Sequence, residues 1–127
     1  MTTEPTSYSN VPALAQLYLE DSFILDVLSD DQGLRFKVDL VLSPGHLSYH
    51  EPRQGEKYCY EQGWISIAHP RSVHWIRRTM RPFRDASDEI DFGSIDSWQV
   101  DGDITHIEGN WGEVEVAGGI VSVSLEQ

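Results

Sequence analysis

The last 43 residues of this chain contain no lysine and no arginine. From Asp85 to Gln127 there are eleven acids and no base, so the segment carries net −11. Ordinary soluble surfaces mix both signs. A field of this kind repels nucleic acid and anionic membranes and attracts basic partners. Cysteine is nearly absent as well. The single thiol, Cys59, excludes an internal disulfide framework. No apolar run approaches the roughly 20 residues that span a bilayer, and the first ten residues lack the basic and apolar regions of a signal peptide. The expectation is a soluble, cytoplasmic protein with no membrane and no nucleic-acid partner.

Catalytic signatures are missing too. There is no Gly-x-Ser-x-Gly elbow, no Walker loop and no His-Glu-x-x-His. The histidines are His46, His50, His69, His74 and His106, and none stands at a recognised metal-ligand spacing. Cys59 lies between two tyrosines in a strand-like stretch and reads as a small buried apolar group. Asp101-x-Asp103 flanks a turn glycine and lacks the rest of a calcium loop. The expectation is a protein that is not an enzyme, with no cofactor and no metal. Carboxylate pairs are too common in an acidic chain for an acid–base pair to be read from sequence.

What is present is a foldable domain. A chain of 127 residues suits one domain, and 39% hydrophobic content with four Trp, five Tyr and four Phe is too apolar for disorder. Residues 1–10 are polar and aperiodic and read as a flexible terminus. Leu14, Leu17 and Tyr18 recur at helical spacing, so a short helix is expected over 11–19, capped by Asn10. From Ser22 the period changes to two. Phe23, Leu25 and Val27 alternate with Ile24, Asp26 and Leu28. After the Asp30–Gly33 turn, Leu34, Phe36, Val38, Leu40 and Leu42 oppose Arg35, Lys37, Asp39 and Val41, and these two strands are expected to pair as a hairpin.

Residues 43–57 read as a long loop, and further strand character appears at 58–60, 64–68 and 73–78. A second loop covers 79–94. Four short strands close the chain at about 95–100, 103–108, 112–117 and 120–125, with turns at Asp101-Gly102, Gly109-Asn110 and Gly118-Gly119. The fold class expected is mainly β: an antiparallel sandwich or open barrel of about eight strands with one short N-terminal helix, or α+β if that helix is longer.

The charge is laid out in blocks. Residues 1–52 are net −6, residues 53–84 net +5 and residues 85–127 net −11. The basic block holds Arg71, Arg77, Arg78, Arg81 and Arg84 beside Trp75. It reads either as an anion site or as internal compensation for the acidic strands, and favourable cross-strand pairing supports compensation. The acidic block offers Trp98, Asp101, Asp103, Glu108, Trp111, Glu113 and Glu115. These read either as a solvated sheet face over a tryptophan core, or as a docking surface in which carboxylates steer a basic partner and a tryptophan anchors it.

The stretches Leu19-Glu20-Asp21-Ser22, Tyr58-Cys59-Tyr60, Gly93-Ser94-Ile95-Asp96 and Gly109-Asn110-Trp111-Gly112-Glu113-Val114 resemble small uncharacterised bacterial proteins. Some such acidic proteins are similar in character to immunity proteins of polymorphic toxin systems. That resemblance implies a bacterial, non-catalytic binding protein whose partner is a basic toxin or nuclease. Two other readings stay open: a small barrel that binds a ligand or acts as an enzyme through a mouth lined by Trp, Tyr and His, and a structural module that self-associates into a homodimer through exposed strand edges.

Overall fold

A computed structural model of the chain describes residues 6–79, 83–84 and 90–126. The chain is mainly β, and its strands form two antiparallel sheets stacked as a sandwich, not a closed barrel. The long strands are β2 (Phe23–Asp30), β3 (Gly33–Leu42), β4 (Cys59–Ala68), β5 (Ser72–Arg78), β8 (Ile95–Asp101), β9 (Ile104–Gly109), β10 (Gly112–Ala117) and β11 (Ile120–Leu125). Three two-residue strands, β1 (Thr6–Ser7), β6 (Phe83–Arg84) and β7 (Ile90–Asp91), complete the set. One sheet runs β1-β8-β9-β10-β5 and the other β11-β4-β3-β2, while β6 and β7 pair with each other.

The period-two pattern explains most of this. In β3 the inward set Leu34, Phe36, Val38, Leu40 and Leu42 is buried, and Arg35, Lys37 and Asp39 lie on the other side. In β10 the buried Val114 and Val116 alternate with the outward Glu113 and Glu115. β2 departs from simple alternation. A bulge between Ile24 and Asp26 inserts one extra residue, so Ile24 and Val27 both point inward and Phe23 is exposed. Strand character at 58–60 and 64–68 is one continuous strand, because Gly63 lets the backbone of β11 approach closely: a Cβ there would sit 2.5 Å from the Ser124 carbonyl oxygen.

The helix expected over 11–19 is not formed. The chain makes separate 3-10 turns at Tyr8–Asn10, Pro12–Leu14 and Leu19–Asp21. Asn10 does not cap; Val11 holds the N-cap position in an extended conformation without a side-chain hydrogen bond. Leu14, Leu17 and Leu19 are all buried, and an isolated bridge from Leu17 to Leu42 straightens the segment. Tertiary burial overrides a marginal local preference here. Of the flexible terminus expected over 1–10, residues 1–5 lie outside the described residues, while Thr6 and Ser7 are held as a strand against Val100 and Gln99. The Tyr8 hydroxyl also donates to Glu20 at 2.5 Å.

Aromatic rings fill the space between the sheets. Phe36 from β3 meets the ring of Trp111 edge-on at 5.1 Å and lies 6.4 Å from Trp98. Trp75 stands at a right angle to Trp111 at 6.1 Å. Trp111 sits in the two-residue turn between β9 and β10, yet it is fully buried, with its indole N–H donating to the Ser94 carbonyl at 3.1 Å. Gly109 makes room for it: a Cβ at that position would lie 2.3 Å from both the Ser94 oxygen and the Trp111 ring nitrogen. The preceding turn uses Gly102 at φ +64, the first position of a two-residue hairpin loop closed by Asp103.

Truncating Trp111 to alanine removes the ring that joins both sheets. It is expected to destabilise the fold by about 3–5 kcal/mol, read as a shift in urea midpoint at unchanged slope. A loss below about 1 kcal/mol, the level of a surface substitution, contradicts its placement in the core.

Candidate functional site

The registers of β8, β9, β10 and β5 build one outward face. Ser97, Glu108, Glu113 and Arg77 form one row across it, and Gln99, His106, Glu115 and His74 the next. Asp101, Ile104, Ala117 and Ser72 form a third. Asp101, Glu108, Glu113 and Glu115 therefore share a surface. Ile104 and Ile76 are exposed on or beside it, at 36% and 46%. Ile76 lies at the bulge where β5 slips against Glu113.

Trp98 and Trp111 do not belong to this face. At 1% and 0% exposure they fill the core, because alternation sends Trp98 inward between Ser97 and Gln99 and the Trp111 turn folds back under the sheet. The expectation that either anchors a partner is corrected by that burial. Asp103 is also set apart: it lies in the hairpin turn and forms an ion pair with Arg71. Both members are largely exposed, so the pair adds little stability.

The basic block compensates this face only in part. Arg77 is in register with Glu113, but its guanidinium donates to the Thr79 hydroxyl at 2.8 Å and to the Gly109 carbonyl at 3.1 Å. Arg78 lies over the Trp75 ring at 4.6 Å. Arg81 and the Arg84 side chain lie outside the described residues. His106 reaches Glu113 directly, Nε2 to Oε2 at 2.6 Å. That hydrogen bond holds the Glu113 carboxyl below the usual glutamate range, against the opposing pull of partial burial. Among the described residues no arginine or lysine pairs with Asp101, Glu108 or Glu115.

His106 was missed by spacing rules, which expected no metal ligands. The signal lies in the hairpin: once Gly109 pairs with Gly112, Glu108 must oppose Glu113, and His106 follows on the same face. One of its ring nitrogens and one oxygen from each of Glu108 and Glu113 fall within 4.8 Å of one another.

A second feature is a groove of about 1050 Å³ on the outer side of the other sheet, open to solvent. Its floor includes Phe23 and Tyr60, whose rings stack at 6.2 Å, and its walls carry Asp39, Arg53, Lys57, Glu61 and Gln62. The 43–57 loop forms one wall through Arg53, Gly55, Glu56 and Lys57, but His46, Tyr49 and His50 do not line the groove. This is not the barrel mouth expected of a small ligand-binding barrel, because Phe36, Trp98 and Trp111 occupy the interior. Cys59 is buried beneath the loop and accepts a hydrogen bond from the His50 backbone, not from its ring.

His50 stands behind that wall and holds Glu61, which lines it. Its Nδ1 faces the Glu51 carbonyl at 2.8 Å and its Nε2 faces Glu61 at 2.7 Å, while Arg53 also donates to Glu61 at 3.0 Å. Both ring nitrogens meet acceptors, which favours the imidazolium. The Glu51 carbonyl, then Glu61, raise the His50 pKa above the ordinary histidine value. Burial pushes Glu61 upward, but the hydrogen bonds from His50 and Arg53 outweigh it and leave its pKa lowered.

Comparison with protein-family models, with curated proteins and with solved structures returned no match, so the functional reading rests on the chain's own geometry.

The two shifts have opposite signs. A raised histidine contributes stability that is present below its unfolded value and lost as pH rises through its folded value. A depressed carboxyl contributes stability that is present above its unfolded value and lost as pH falls through its folded value. The pair therefore acts between the carboxylate and histidine ranges. NMR titration is expected to show His50 titrating above an ordinary histidine, and Glu61→Gln should move its midpoint down. An unmoved midpoint in that variant removes Glu61 as a cause.

Proposed function

We propose that this chain is a non-catalytic binding module whose β8-β9-β10-β5 face docks a basic protein, in the manner of a bacterial inhibitor or immunity protein acting in the cytoplasm. One observation carries the reading. Asp101, Glu108, Glu113 and Glu115 stand on one strand-supported face, and Arg77, the guanidinium in register with them, is spent on Thr79 and a backbone carbonyl. Among the described residues Asp101, Glu108 and Glu115 have no lysine or arginine partner and Glu113 has only His106 as a basic group in hydrogen-bond contact, and such carboxylates attract cationic surfaces and speed encounter. Strands hold their positions more firmly than loops do.

The apolar contribution falls to Ile76 and Ile104, since both tryptophans of the acidic block are in the core. A partner that presents lysines or arginines around a small apolar patch fits this layout, and a cationic nuclease or toxin surface is of that kind. The acids set the rate of association and the isoleucines the residence time.

The groove on the opposite side favours a second reading, a small-ligand site with the Phe23–Tyr60 stack as its platform. The two readings separate by surface. A docked protein covers β9 and β10, whereas a ligand in the groove perturbs Phe23, Tyr60 and Gln62.

The test uses affinity capture from the native host, then kinetics with the captured protein. Association is expected to slow steeply between about 0.01 M and 1 M ionic strength, as the screening length falls from about 30 Å to about 3 Å. Glu108→Lys with Glu115→Lys is expected to slow it by at least about tenfold, as befits steering charges. Equal rates at both salt concentrations, or in wild type and variant, overturn the docking reading.

A further inference from the structure

We propose that His106, Glu108 and Glu113 bind one divalent transition-metal ion of the zinc class. His106 and Glu108 stand two residues apart on β9 and so project from the same face. Glu113 is the direct cross-strand partner of Glu108 on β10. This arrangement delivers one imidazole nitrogen and two carboxylate oxygens to a common point, all within 4.8 Å of one another. Bonds of about 2.0–2.2 Å in tetrahedral geometry place ligand atoms roughly 3.3–3.5 Å apart, so side-chain rotation alone closes the set.

Three features of the surroundings favour an ion. β9 is hydrogen-bonded to β8 on one side and β10 on the other, which fixes the Cα positions of all three ligands. Glu108 and Glu113 are like charges directly opposed, a destabilising arrangement that a cation reverses. Arg77, in register with Glu113, acts on it through space, while its guanidinium hydrogen bonds go to Thr79 and Gly109.

The donor set decides the class of metal. Calcium and magnesium take oxygen ligands, whereas imidazole together with carboxylate suits zinc and its first-row neighbours. Three protein ligands on an open face leave a coordination position for water or for a group from another molecule. The proposal does not rest on the docking reading, since the site needs only these three side chains.

The experiment is calorimetric titration of chelator-stripped protein with Zn²⁺ alone, followed by Co²⁺ absorption spectra. The expected result is one saturable site per chain and visible Co²⁺ bands of a low-coordinate site. His106→Gln and Glu113→Gln, each checked for an unchanged circular dichroism spectrum, should each weaken Zn²⁺ binding by about 100-fold or more. His50→Gln should leave it unchanged. Absence of saturable binding overturns the site, and so does binding that survives both ligand variants or is lost in His50→Gln. His106→Gln keeps every carboxylate of the face, so metal-free association with a basic partner separates failure of this site from failure of the docking reading.

Discussion

The contact between Phe36 and Trp111 across the two sheets is the constraint on which the rest depends. Phe36 sits mid-strand in β3, and Trp111 reaches it from a turn, at 5.1 Å and edge-on. Placing an indole there requires a glycine at 109 and a carbonyl at Ser94 to receive its N–H. It also fixes the register of β9 against β10, because the turn that carries Trp111 must be two residues long. With that register set, period two leaves no choice for the neighbours. Trp98, Ile107, Val114 and Trp75 align inward in one row, and Glu108 and Glu113 stand opposed on the outside. Core packing thus dictates the surface electrostatics.

That coupling explains why a concentrated negative field is tolerated. The carboxylates stand on strands whose inner side chains are buried, so their mutual repulsion is set against a hydrophobic core and not against a marginal hairpin. Compensation is local and partial. Among the described residues Arg71 holds Asp103 at the hairpin tip and His106 holds Glu113, and no lysine or arginine pairs with the remaining acids of the face. The opposite sheet is different in kind: Arg35 and Lys37 lie over Trp64 at 5.7 and 6.0 Å, and Arg53 and His50 share Glu61. The two outer surfaces are chemically distinct.

Much of the fold was legible in the sequence because hydrophobic alternation is a direct record of which side of a strand is buried. The β2–β3 hairpin, the outward Glu113 and Glu115 and the four C-terminal strands all follow from it. The failures have physical causes. Leu14 and Leu17 have helical spacing, but both are buried by the sandwich edge and the chain follows the core instead of its own period. The β2 bulge moves Val27 inward, which no alternation rule anticipates. Trp111 stands beside turn residues, and turns are ordinarily exposed; only the Gly109–Gly112 frame hints that the ring folds under. The acidic face was readable as a charge count and in four of its carboxylates, but its full membership was not. Trp98 had to leave it and His106 to join it, and both changes come from register, which is a property of the strand pair and not of either strand alone.

The account stands most directly on a chemical-shift map of the ¹⁵N-labelled chain titrated with a short lysine-rich peptide. It predicts perturbations concentrated at His106, Glu108, Glu113 and Glu115, shrinking as salt is added, with Phe23 and Tyr60 on the far sheet unmoved. Shifts centred on the Phe23–Tyr60 groove, or scattered over both outer surfaces, contradict a docking role for the acidic face.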